Sequence, residues 1–185
     1  MSASPSLLSC SAVSWNRCLA GRTNRRKDRM NAEYAEVLTR ELADVVERMA
    51  FMFAEPGDPS ELDLDGEPWM GVNMSFRGSL NGTISLAAPR ALCVELAGNI
   101  LGLTSDDEKA QRYAGDAFRE LLNVVCGQVL TSLAGRLSTF DLAAPVSSEV
   151  DAGSLALQLH TGDALLFSVD DTPCVLRISF VESTA

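Results

Sequence analysis

The chain is poor in the residues that most catalytic and metal sites rely on. It has one histidine, His160, in 185 residues. A single imidazole with no partner Cys or second His makes no metal site. It also argues against a Ser-His-Asp or Cys-His arrangement. His160 is read as a surface or edge residue near a strand end. Five cysteines stand at positions 10, 18, 93, 126 and 174, without a Cys-x-x-Cys. That excludes a zinc knuckle and a dithiol redox motif, and an odd set of scattered thiols fits a reducing compartment better than a disulfide scaffold. No apolar run approaches the roughly 18–20 residues that a membrane helix needs. Positive charge is scarce too. Fifteen Lys and Arg against 25 Asp and Glu give a formal net charge of −10 and a pI near 4.5, the reverse of a nucleic-acid binder. There is no GxxxxGK[ST] phosphate loop, GxGxxG fingerprint, HExxH or G-x-S-x-G elbow.

What is present describes one ordinary domain with a tail. Hydrophobic residues make up 46% and charged residues 22%, enough to build a core at this length. Charge is split along the chain. Residues 1–29 hold six basic side chains, one acid and six serines, while the rest hold nine basic and 24 acidic side chains. The basic segment is no secretory signal, because its charges follow the apolar stretch instead of preceding it. It reads as a disordered tail, or as an extension ahead of a true start at Met30. An organelle transit peptide is the weaker alternative. The domain is therefore expected over residues 30–185.

From residue 31 the pattern predicts a helix over 31–54. Asn31 is its cap, Leu38, Leu42, Val45, Met49 and Met52 recur at helical spacing, and Pro56-Gly57 ends it. An acidic loop with Glu61, Asp63, Asp65 and Glu67 follows. Its Asp-x-Asp-Gly has the look of a calcium loop but lacks the full spacing and closing Glu, so it reads as a solvated loop. Met70, Val72, Met74 and Phe76 alternate with small polar residues, and Asn81-Gly82 signals a hairpin turn into a return strand over 83–87. Pro89 opens a short apolar helix over 91–101, capped by Gly102. A second long helix is expected over about 111–137. Strands are expected around 145–150, 154–160, 164–169 and 174–182. The order suggests one helix-plus-hairpin unit used twice. That is an α+β domain with long helices packed on a largely antiparallel sheet.

The second long helix carries the informative stripe. At about 100° per residue, Phe118, Leu121, Leu122, Val125, Val129 and Leu133 share one face. Asp116, Glu120, Asn123 and Gly127 lie within about 60° of one another on the opposite face. Asn123 interrupts a Leu-Leu-Asn-Val-Val-Cys run and is a mediocre helix former. Gly127 costs about 1 kcal/mol against Ala in a helix interior, and its missing side chain would let a partner come close. Glu120 and Asn123, one turn apart, can touch one partner together. The plain alternative is a solvated polar face with a packing glycine.

This segment resembles the signature helix of the CheC/CheX family of chemotaxis phosphatases, and CheX-like members most. The family pattern is Asp or Ser, Glu four residues on, Asn three later, and a proline some twenty-odd residues further. Here it is matched by Asp116, Glu120, Asn123 and Pro145. Leu121-Leu122, Gly127 and the upstream Gly78-Ser-Leu-Asn-Gly-Thr-Ile-Ser-Leu stretch also look familial. The resemblance spans about residues 31–182. It implies a hydrolase that removes the phosphoryl group from the phosphoaspartate of a CheY-like response-regulator receiver domain. Asn123 would hold the water, Glu120 would anchor to the receiver's lysine, and Asp116, Gly127 and Pro145 would support them. It implies no cofactor in this chain and Mg2+ in the receiver. The first long helix carries only Glu41-Leu-Ala-Asp44, where Asp replaces the Asn of a second site. Asp44 is free to pair with Arg48 instead, so one active site is expected. Kinship also implies a homodimer joined through sheet edges. The alternative class is a non-catalytic module of the same fold that docks a signalling or flagellar-switch partner.

Overall fold

The computed structural model describes residues 32–62, 64 and 68–181, with the backbone alone at Glu61. The basic segment, Met30, the Asn31 cap, Asp63, Asp65 and Glu67 lie outside the described residues. The chain runs through α1 (Ala32–Ala50), β1 (Ala54–Pro56), a 3-10 turn (Pro59–Glu61), β2 (Trp69–Gly78) and β3 (Gly82–Pro89). It continues through α2 (Arg90–Leu101), α3 (Glu108–Ala134), β4 (Phe140–Leu142) and β5 (Val146–Glu149). The last elements are α4 (Ala152–Thr161), β6 (Leu165–Val169) and β7 (Thr172–Phe180). This is the expected α+β architecture.

Among the described residues seven strands form one antiparallel sheet in the order β1-β6-β7-β3-β2-β4, with β5 also pairing β2. The expected duplication is visible in this order. The first half (α1, β1, β2, β3) and the second half (α3, β4 with β5, β6, β7) meet at the β3–β7 pair. Each half lends its outer strand to the other's hairpin: β1 pairs β6, and β4 and β5 pair β2.

Side-chain alternation splits the sheet into two faces. Val72, Met74, Phe76, Ile84, Leu86, Cys174, Leu176 and Ile178 meet the buried stripes of α1, α2 and α3 in the main core. Trp69, Ala87, Val175 and Leu166 face the other way, where α4 covers them with Leu155 and Leu159. Burial pushes the Cys93 and Cys126 thiols up to about 12.

Three expectations need correction. The first helix stops at Ala50, not at 54. Phe51 turns left-handed, with φ 56°, which costs roughly 1–2 kcal/mol. The next residue, Met52, is fully buried, worth about 1.5–3 kcal/mol, so the kink is tolerated. Phe51 and Phe53 point outward on either side of it, and β1 follows. The segment 154–160 is helix α4, not a strand. Asp151 caps it by accepting from Ser154 N at 2.9 Å, and Gly162 closes it with φ 71°. Leu155 and Leu159 are buried one turn apart while Leu157 is exposed. His160 therefore sits in the last turn of a helix, exposed. The hairpin turn occupies residues 79–81, where Asn81 Oδ1 accepts from Gly78 N at 3.2 Å. Gly82 already belongs to β3. A Cβ there would lie 2.1 Å from the Ser179 carbonyl oxygen, so no larger residue fits beside β7.

Candidate functional site

Helix α3 is 27 residues long. Asp107 caps it, its carboxylate accepting from Lys109 N at 2.8 Å. Ala114, Phe118, Leu121, Leu122, Val125, Cys126, Val129 and Leu130 form its buried stripe, which fixes the roll of the helix on the sheet. The opposite side is thereby turned to solvent. Asp116 and Glu120 are exposed, and Asn123 and Gly127 are half-buried. Neither the Glu120 nor the Asn123 side chain has a hydrogen-bond partner among the described residues. Their polar atoms are thus available to another molecule.

Gly127 adds an argument of its own. Among the described residues nothing outside the helix's own backbone lies within 4 Å of where a Cβ would stand. No contact among the described residues therefore requires glycine there, although the helix gives up about 1 kcal/mol for it. The open space lies one turn beyond Asn123, on the same face.

Asp116 is engaged. It forms an ion pair with Arg119, three residues on. Arg119 also donates from Nη1 to Ser147 Oγ on β5 at 2.8 Å. Pro145 is half-buried in the connector between β4 and β5, two residues ahead of Ser147. Asp116 and the Pro145 segment, 29 positions apart in sequence, are thus linked through one guanidinium. Sequence reasoning missed Arg119 and Ser147. The Asp116–Arg119 spacing of three was a readable helix pair, but nothing local connects Arg119 to position 147.

The comparable stretch on α1 is used differently. Glu41 is only 6% exposed. Its Oε1 accepts from Arg40 Nε and Nη2 at 3.0 and 2.8 Å and from Ser132 Oγ of α3 at 2.8 Å. Asp44 is exposed, and Arg48 Nε reaches its backbone carbonyl at 3.1 Å, not its carboxylate. The Asp44–Arg48 ion pair that the spacing allowed does not form.

Among the described residues no helix is long and apolar enough to cross a membrane, and no three or more His, Cys, Asp or Glu side chains cluster as metal ligands.

The profile of the family described as chemotaxis phosphatase CheX matches residues 70–162, half of the chain. None of the curated proteins compared with it matches the chain by sequence. Among solved structures, a CheX chemotaxis protein from Desulfovibrio desulfuricans is 18% identical, with a TM-score of 0.59 over 80% of this chain and 99% of that one. CheX from Vibrio vulnificus is 19% identical, with a TM-score of 0.59 over 86% of this chain and 99% of that one. The CheX of a CheX-CheY-BeF3-Mg2+ complex from Borrelia burgdorferi is 18% identical, with a TM-score of 0.57 over 82% of this chain and 100% of that one. At these identities the likeness is one of fold.

Proposed function

We propose that this chain, which belongs to the chemotaxis phosphatase CheX family, hydrolyses the aspartyl phosphate of a CheY-like receiver domain. The observation that carries the reading is the outward pair on α3. Glu120 and Asn123 stand one turn apart with no partner of their own among the described residues, which also leave the space over Gly127 open. The complex of the Borrelia relative with CheY, BeF3 and Mg2+ supports a receiver as the partner.

Hydrolysis of an acyl phosphate needs a water in line with the bond that breaks. The receiver's Mg2+ and lysine supply the neutralising charge on the phosphoryl oxygens. This chain supplies position. Asn123 Oδ1 accepts a hydrogen bond from the water, and its Nδ2 donates to a phosphoryl oxygen. The carboxamide is neutral, so it approaches the anion without the repulsion that an Asp would bring. Water attacks phosphorus, the P–O bond to the aspartate breaks, and inorganic phosphate leaves. Glu120 pairs with the receiver's lysine and sets the angle at which α3 enters. Holding the water in place is worth several kcal/mol of barrier.

The test mixes the full chain with a phosphorylated receiver and Mg2+ and follows phosphate release. Wild type accelerates loss of the phosphoryl group, and Asn123→Ala abolishes most of that acceleration. Wild type and variant decaying at the receiver's own rate would falsify the enzymatic reading. Binding without turnover would move the chain to the docking-module class.

A homodimer belongs to the same proposal. Pro56 blunts the β1 edge of the sheet, whereas the β4–β5 edge carries no proline within its strands and leaves Val146 60% exposed. Pairing there predicts a concentration-dependent dimer in sedimentation.

A further inference from the structure

We propose that Arg119 is a positioning residue of this site. It clamps the β4–β5 arm against α3 and keeps the Asp116 carboxylate neutralised beside the face that meets the receiver. The inference rests on the phosphatase reading and deepens it.

The placement comes first. Arg119 lies three residues after Asp116 and four before Asn123, along the flank of the outward stripe. A long helical side chain leans back over the preceding turn. Gly115 lies there, with Arg119 Nη1 3.8 Å from where its Cβ would stand. From that bed the guanidinium fork uses two nitrogens at once, Nη2 on Asp116 and Nη1 on Ser147.

The magnitudes assign the purpose. The Arg119 and Asp116 side chains are 38% and 59% exposed, and an ion pair that wet contributes little to stability. What the clasp does fix is geometry. The arm consists of two strands of three and four residues, too short to hold a position by pairing alone. It carries Pro145 just ahead of Ser147. The clasp also sets local charge. Without Arg119, Asp116 and Glu120 would present two carboxylates one turn apart to an anionic phosphoryl group. With it, the Asp116 charge is already satisfied and Glu120 alone faces the partner.

The test uses the full chain and a receiver phosphorylated by a small-molecule donor. Arg119→Ala raises KM about five- to tenfold and leaves kcat within about twofold, because the arm loosens and the Asp116 charge is uncovered while Asn123 keeps its place. Asn123→Ala does the reverse, lowering kcat at little change in KM. Arg119→Ala with Asp116→Asn recovers part of the lost affinity, because the uncovered carboxylate is gone. A purely structural clasp would show no such rescue. Arg119→Lys falls between wild type and alanine, since a point charge cannot make the forked contact. Amide hydrogen exchange across residues 143–149 speeds up in Arg119→Ala while the melting temperature stays put. Either an unchanged KM or unchanged exchange in the arm overturns the proposal and leaves the phosphatase reading standing. Should wild type show no turnover, that reading falls, and the exchange of residues 143–149 alone decides the clasp.

Discussion

The two long helices pack on the same face of one sheet and carry nearly the same short text, Glu-Leu-Ala-Asp on α1 and Glu-Leu-Leu-Asn on α3. They use it in opposite ways. Burial in α1 falls on 41–42 and 45–46, and in α3 on 121–122 and 125–126. Glu41 therefore holds a core-side position, matching Leu121 in phase, while Glu120 lies one residue outside it. One residue is about 100° of rotation. That angle decides whether a carboxylate ties two helices together, as Glu41 does through Ser132, or faces solvent. A repeated motif has a shared function only if it also shares its phase with the core.

The contrast can be broken in graded steps. The largest effect belongs to Asn123→Ala, which lowers turnover of a phosphorylated receiver by about 10²-fold or more, the scale of losing a well-placed reactant. Circular dichroism of the same variant stays native. Glu41→Ala comes next and acts on stability alone. It removes the acceptor that joins Ser132 to α1 and costs about 1 kcal/mol in denaturant unfolding, with kcat and KM unchanged. Glu41→Gln, which can still accept from Ser132, recovers most of that loss. Glu120→Ala is the mirror image. It weakens receiver binding several-fold in titration, and its unfolding midpoint stays within about 0.5 kcal/mol of wild type, as for other exposed positions. The smallest effect is Asp44→Asn in the Asn123→Ala background. It restores the Glu-x-x-Asn spelling on α1 but not its phase, so phosphate release stays at the level of Asn123→Ala alone. A rescue there would mean that phase does not matter.

The two helices also show what was legible in advance. The apolar periodicity of α3 located the helix, its solvent face and the outward residues, because each of those depends on neighbours within two turns. The β2–β3 hairpin was equally readable from Met70, Val72, Met74 and Phe76. Segment 154–160 misled for a definite reason. Leu155, Leu157 and Leu159 satisfy a period of two, and only the Asp151 cap and Gly162 favour the helix that forms. Strands β1 and β4 are three residues each, too short for any pattern, and exist because a distant hairpin offers them an edge. Pure tertiary facts stayed hidden: the partner of Glu41 on α3 and the reach of Arg119 to Ser147. The phase of Glu41 was written in Leu38 and Val45, three residues before and four after it, but its partner Ser132 and the reach of Arg119 have no local signature, since both depend on how one element is laid against another.

The exchange of outer strands between the halves has a practical corollary. A break in the solvent-facing loop at residues 103–106 would leave each fragment with a hairpin lacking its flanking strand and a helix lacking its mate. Neither piece could close its own sheet, and the fragment bearing Asn123 would be inert alone. Supplied together, they should knit into one complete sheet, because each brings the outer strand that the other's hairpin lacks.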